Sequence, residues 1–257
     1  PDPERMLAAA RAFDEAEVAA AAAIGIHGMT LLGRGARILT HCNAGWLAVQ
    51  DWGTALAPVY RAARAGLFPF VIVSETRPRL QGARLTTWEL REEGVAHVLI
   101  ADSAAPHLIQ RGQVDVVLTG ADRIAANGDT ANKIGTYARA LAARAHGIPF
   151  FIAAPLSTID RSTGTGEQIP IEERSPDEVL TVEGLDDSGA NVRVRIAPVG
   201  TEALNPAFDI TPHALITGLI TEVGIVPATA AGIDDAFARA GGASNPQPNI
   251  VESGDAI

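Results

Sequence analysis

The chain has 257 residues, 47% hydrophobic and 19% charged, a composition that buries a core and does not stay disordered. Thirty acidic and 20 basic side chains leave a net charge of −10, which argues against a general nucleic-acid or anionic-membrane surface and leaves room only for a local anion site. One cysteine cannot form an internal disulfide, and the alanine-rich run 19–26 is too short to span a bilayer, so the reading is a soluble cytoplasmic protein.

Residues 3–32 read as a helix, rich in alanine, acidic early and free of proline after Pro3. After residue 35 short apolar runs alternate with helical stretches. Strands are expected at 37–40, 70–74, 96–101, 114–119 and 149–153. Helices are expected between them at 54–65, 83–93, 105–111 and 131–146. Near-continuous apolar strands separated by helices imply parallel βαβ units with both sheet faces covered. The expected fold class is therefore α/β, a doubly wound, mostly parallel Rossmann-like sheet preceded by a helical lead-in. Residues 157–200 read as polar loop with a weak strand at 192–196, and 214–221 resumes a helical pattern. The organisation is a lead-in at 1–35, a catalytic domain at 36–235 and a flexible tail at 236–257, where Gly, Pro, Asn and Asp accumulate towards the end.

In open parallel sheets, ligands bind beyond the carboxyl ends of the strands. Three motifs fall there. Thr40-His41-Cys42-Asn43-Ala44-Gly45 places the only thiol just past the first strand, where it is either a tuned acid, base or nucleophile or an inert buried cysteine. His41 points to the opposite face from its neighbour and is read as a supporting group. Ser74 to Gly82 carries Arg77, Arg79 and Gln81, a set that can hold a phosphate or sugar hydroxyls, or equally a solvated loop with Glu75 paired to an arginine. Gly120 to Lys133 places Asp122 past the fourth strand and contains Asn127-Gly128-Asp129, a strong turn signal. Asp122 is either a catalytic carboxylate or a turn cap, a role Asp129 could supply. Lys133 is the only lysine of the chain, read either as a surface residue or as an ammonium kept for an anion at the start of the helix from 131. Zinc spacing, a Walker loop and the dinucleotide fingerprint are absent from the sequence, and no metal is expected.

The blocks ILTHCNAG, SETRPRLQGARLTTWEL, GADRIAANGDTANKIGTYA, IPFFIAAPLSTID and IPIEER, in this order, resemble the methylthioribose-1-phosphate isomerase family. The resemblance runs from about residue 24 to 221. Its wider superfamily includes archaeal ribose-1,5-bisphosphate isomerases and the regulatory subunits of the translation-initiation exchange factor; Cys42 together with Asp122 favours the isomerase branch. The resemblance implies conversion of 5-methylthioribose 1-phosphate to 5-methylthioribulose 1-phosphate in methionine salvage, without a cofactor. By position it makes Cys42 and Asp122 catalytic and Gln81, Asn132 and Lys133 substrate-binding. Isomerisation of another pentose phosphate, ribose 1,5-bisphosphate or 5-deoxyribose 1-phosphate, is the nearer alternative, and a non-catalytic sugar-phosphate or nucleotide sensor the more distant one. The implied partners are a small sugar phosphate and a second copy in a homodimer, with 214–220 and 169–174 as contact candidates, and neither nucleic acid nor membrane. The family also carries an N-terminal domain with phosphate-binding arginines. This chain opens near the connecting helix, so it is expected to be a fragment or a shortened relative with an incomplete phosphate site.

Overall fold

In a computed structural model, residues 2–241 are described. Helix α1 (Pro3–Met29) starts where the Asp2 side chain accepts the Glu4 N–H at 3.1 Å. The chain continues through β1 (Arg37–Thr40), α2 (Ala57–Arg64), β2 (Phe70–Ser74) and a π-helical turn, Gly82–Thr86, that runs into α3 (Thr87–Glu92). Next come β3 (Ala96–Ile100), α4 (Ala104–Gln110) and β4 (Val116–Thr119). The hairpin β5 (Arg123–Ala125) and β6 (Thr130–Lys133) precedes α5 (Thr136–Ala145), β7 (Phe150–Ala153) and the short β8 (Ile159–Asp160). Helix α6 (Asp177–Leu180) leads into the hairpin β9 (Thr181–Leu185) and β10 (Asn191–Arg195). Strands β11 (Phe208–Thr211), β12 (Gly218–Thr221) and β13 (Gly224–Val226) and helix α7 (Ala230–Arg239) complete the order.

The central sheet runs β13-β12-β7-β4-β1-β2-β3, and every pairing is parallel except β12 with β13. Side chains alternate across a strand, so each strand feeds two cores. Leu39, Ile72, Val117, Ile152 and Leu219 pack on the side of α4, α5 and α7, with Ile109, Ala140 and Phe237. Ile38, Val71, Leu118 and Ile220 pack on the other side, with Ile24 of α1, Tyr60 of α2 and Leu90 of α3. Both faces are covered, which is the expected doubly wound α/β fold. The strand order reverses between β1 and β4, and the loops leaving those two strands part to open a crevice. A second sheet, β11-β6-β5-β8, supplies Asn132 and Lys133 to that crevice.

Four expectations are corrected. The helix expected over 131–146 begins only at Thr136, because residues 130–133 pair antiparallel with both β5 and β11. Gly128 turns that hairpin with φ 92°, which a side chain rarely adopts, and a Cβ there would overlap the Ala228 carbonyl. Lys133 is thus a strand residue, not part of a helix N-terminus. The helical pattern at 214–221 is a short 3-10 turn followed by β12, all four of whose residues are buried beside β7. That interior strand cannot be the dimer contact named above. The domain boundary at 235 falls inside α7, where Ala236 and Phe237 are buried; the described part of the unit runs through this helix, and 242–257 lie outside the described residues. The loop-like stretch 157–200 contains, besides its weak strand, the partner strand β9.

Candidate active site

The loop after β1 is fixed residue by residue. Cys42 has φ 62°, in the left-handed region that non-glycine residues seldom occupy. Both of its backbone groups are tied down: its N–H donates to Thr76 Oγ1 at 2.9 Å and its carbonyl accepts from Thr86 Oγ1 at 2.7 Å. Three residues on, Gly45 packs so tightly on the buried Glu89 carboxylate that a Cβ would overlap it. The missing side chain at Gly45 makes room for a carboxylate of the protein itself.

His41 lies in the interior, with Nε2 2.7 Å from the Ile134 carbonyl and Nδ1 3.3 Å from Thr76 Oγ1. A carbonyl accepts only, so Nε2 carries the hydrogen and donates it. Burial, with the charges of Arg139 and Lys133 adding to it, lowers the His41 pKa to about 3. At neutral pH the ring is an uncharged bridge, in keeping with its reading as a supporting group.

A cavity of about 430 Å³ opens between these loops, within the range of small-molecule sites. Cys42, Gln81, Asp122, Asn132 and Lys133 all line it, so the five residues singled out in the sequence are brought together from four segments. Lys133 is buried. Its Nζ donates to the Ala207 carbonyl at 2.7 Å and sits 4.3 Å from the Phe208 ring centroid, leaving two of its three donors to the cavity. Asn132 Nδ2 donates to Thr136 Oγ1 at 2.9 Å. Gln81 Oε1 is buried without a hydrogen-bond partner. Asp122 donates its N–H to the Ala131 carbonyl at 2.9 Å, which fixes its backbone beside β6.

The turn hydrogen bonds belong to Asp129, which accepts from Asn127 Nδ2, the Gly166 N–H and both the N–H and Nδ1 of His213. These donors hold its pKa at about 2, against the push of burial. Asp122 is therefore free of the capping role. Its residue surface is open to the cavity mouth, yet enough protein crowds the carboxyl for desolvation to raise its pKa, with Lys133 opposing. Burial likewise raises the Cys42 thiol, opposed by the Asn43 backbone and by Lys133. The cavity therefore presents two acids held towards their protonated forms beside one ammonium.

Of the two arginines in the loop after β2, only Arg79 reaches the cavity, and its ion pair with Glu178 is long at 3.9 Å. Arg77 turns away and donates to the carbonyls of Val179 and Pro78. Sequence reasoning placed Arg174 in a contact loop at 169–174, whereas it lines the cavity from the segment after β8, and it missed the pair of buried Arg139 with half-buried Asp102 at 2.9 Å. It also missed Glu89, one of three glutamates in a helix-patterned stretch that gives no sign of which is buried. Among the described residues no group of three or more His, Cys, Asp or Glu is arranged to hold a metal ion, and no helix is long and apolar enough to cross a membrane.

Comparison with known proteins assigns the chain to a family. The profile of the initiation factor 2 subunit family matches residues 2–228. Methylthioribose-1-phosphate isomerase of Methylocella silvestris is 51% identical over 92% of this chain and 68% of its own length. That of Cereibacter sphaeroides is 52% identical over 93% of the chain and 69% of its own. Among solved structures, 5-methylthioribose 1-phosphate isomerase from Pyrococcus horikoshii superposes with TM-score 0.81 at 47% identity, covering 89% of this chain and 62% of that one. Translation initiation factor eIF-2B, subunit delta, from A. fulgidus gives TM-score 0.81 at 41% identity, covering 90% and 65%. The chain thus spans about two thirds of the two curated relatives and somewhat less of the two solved chains. It belongs to the initiation factor 2 subunit family, on the branch whose members are named methylthioribose-1-phosphate isomerase.

Proposed function

We propose that this chain carries the catalytic site of an aldose–ketose isomerase that turns 5-methylthioribose 1-phosphate into 5-methylthioribulose 1-phosphate. The observation that carries the reading is the convergence of Cys42 and Asp122, both with raised pKa, on one cavity beside Lys133. The phosphate on O1 masks the aldehyde, so the furanose must open before anything can move between C1 and C2. Asp122, held towards its protonated form, gives a proton to the ring oxygen as the bond from that oxygen to C1 breaks. The cation left at C1 joins Lys133 in favouring the Cys42 thiolate at the moment a base is needed. The proton leaving the thiol passes to the vacated Asp122 carboxylate, the sulfur takes the proton from C2 and returns it to C1, and the C2 hydroxyl gives its proton to the sulfur as the ketone forms, so the pair ends the turnover with the protons it began with. Gln81, Asn132 and Lys133 hold the sugar and phosphate oxygens. Arg79 and Arg174 add positive charge on the same wall.

The test is turnover of 5-methylthioribose 1-phosphate by the protein and by Cys42→Ser. The variant should lose turnover and keep ligand binding; a binding protein that does no chemistry would show no turnover in either form. An isologous homodimer in the cytoplasm belongs to the same reading, supported by a lone cysteine with no disulfide partner and by the frequency of two-fold dimers. The loop 169–174, where Ile171 is exposed, is the contact that stays available, and sedimentation at micromolar concentration tests it.

A further inference from the structure

Glu89 is wholly buried and falls within the block SETRPRLQGARLTTWEL, where no role was read for it. Its carboxylate accepts four hydrogen bonds: Asn43 Nδ2 at 2.8 Å, the Trp46 N–H at 2.8 Å, the Leu47 N–H at 3.1 Å and the Tyr60 hydroxyl at 2.6 Å. Three of those donors belong to the loop that begins at Cys42. The fourth, Tyr60, is kept protonated by burial and by the neighbouring Glu89 charge, which raise its pKa. Asn43 Nδ2 also lies 3.1 Å from Thr86 Oγ1, whose hydroxyl donates to the Cys42 carbonyl. A carboxylate can only accept, so the Asn43 amide is fixed with its nitrogen towards Glu89. Gly45 closes the arrangement, since any Cβ there would meet the carboxylate.

We propose that Glu89 is the positioning residue of the thiol loop: a buried anion around which residues 42–47 are wound, holding the Cys42 backbone in its left-handed conformation and its sulfur at the cavity wall. The proposal deepens the isomerase reading and rests on it where turnover is concerned. It acts through Cys42 and touches no substrate. A misplaced reacting group costs rate far more than affinity, with losses of about a hundredfold for displacements near 1 Å.

The experiment compares Glu89→Gln, Gly45→Ala and their double variant with the parent protein. Three quantities are read: kcat and KM for 5-methylthioribose 1-phosphate, the thermal midpoint, and the rate at which iodoacetamide alkylates Cys42, the chain's only thiol. Glu89→Gln keeps the volume and loses two acceptor positions; Gly45→Ala leaves Glu89 chemically intact and pushes its carboxylate off its donors. Each single variant should lower kcat about tenfold or more with KM within about threefold, and the double should lose little beyond the worse single, because both displace one anchor. Alkylation should quicken several-fold as the loop loosens. That readout needs no substrate, so failure of the isomerase reading (no turnover in the parent) leaves the Glu89 proposal testable. Parent-like kcat and alkylation in either folded single variant would overturn it, as would losses that multiply in the double.

Discussion

His41 Nε2 donates to the Ile134 carbonyl at 2.7 Å, and this one bond ties the loop of Cys42 to the loop of Lys133 across 93 residues of sequence. The ring plays that part uncharged, because burial and two neighbouring cations oppose its protonation. A buried neutral histidine makes folding stability depend on pH.

The sign follows from proton counting. In the unfolded chain His41 titrates near 6.5, and in the folded protein near 3. Between those values the unfolded state binds the extra proton, so stability falls as pH drops from about 6.5 towards 3, at a limiting slope of about 1.4 kcal/mol per pH unit. Asp129 acts in the same direction lower down: its stabilisation is present above its ordinary pKa of 3.8 and is lost as pH falls towards about 2. Urea denaturation between pH 4 and 7 should show the His41 slope, and His41→Gln, which can still donate to Ile134, should flatten it. A parallel pair of curves would mean that His41 is not neutralised by burial.

Asp122→Asn should reduce kcat by about a hundredfold or more with KM changed only a few-fold, since Asn keeps the shape and cannot deliver a proton. Asp129, not Asp122, holds the turn, so the thermal midpoint should barely move. Steady-state kinetics with a melting curve on the same preparation settles both halves.

Lys133→Met should act on two quantities at once. Loss of a charge-assisted donor in a half-desolvated cavity should weaken substrate binding about ten- to a hundredfold. It also removes one of two donors from the Ala207 carbonyl, which keeps the Ile134 N–H at 3.0 Å, so stability should fall by about 1 kcal/mol. A reading of Lys133 as a residue at a helix start would have left stability untouched; its place in β6 does not. Calorimetric titration and chemical denaturation measure the two effects separately.

Gly128→Ala should destabilise the protein by about 2 kcal/mol or more, combining an unfavourable left-handed conformation with overlap on the Ala228 carbonyl. The β5–β6 hairpin that it turns carries Asn132 and Lys133, so the surviving folded fraction should show a raised KM more than a lowered kcat. Unchanged stability would show that the hairpin can turn another way.

The sequence displays the inner parallel strands because they are buried on both faces and read as mainly apolar runs: RILT, FVIVS, VVLT and FFIA stand out at once. It hides β6, written Thr-Ala-Asn-Lys, because its burial comes from the cavity and from β11, pairings that local composition does not record. Strand β12 is disguised differently: Ile216, Leu219 and Ile220 fall at helical spacing, and the tertiary pairing with β7 overrides it. The place of Cys42 and Asp122 at the cavity was legible because both fall just past the carboxyl end of a strand, where such sheets bind ligands; the residues alone left their roles open, and the resemblance implied them. Glu89 was not, because a carboxylate that organises a loop looks the same in sequence as one that faces water.

The site is sewn from distant stretches: β1 to β4 by a bond spanning 78 residues, Asn43 to Glu89 by one spanning 46, and Lys133 to Ala207 by one spanning 74. Each such closure must overcome chain entropy before any packing rewards it. No short segment can therefore assume the reactive arrangement ahead of the rest. In a refolding chain, helices and hairpins can form while Cys42 still behaves as an unshielded thiol, and its protection from alkylating reagents marks the completion of the whole crossover topology. The thiol proposed to serve the chemistry is also a built-in reporter of when the molecule has finished folding.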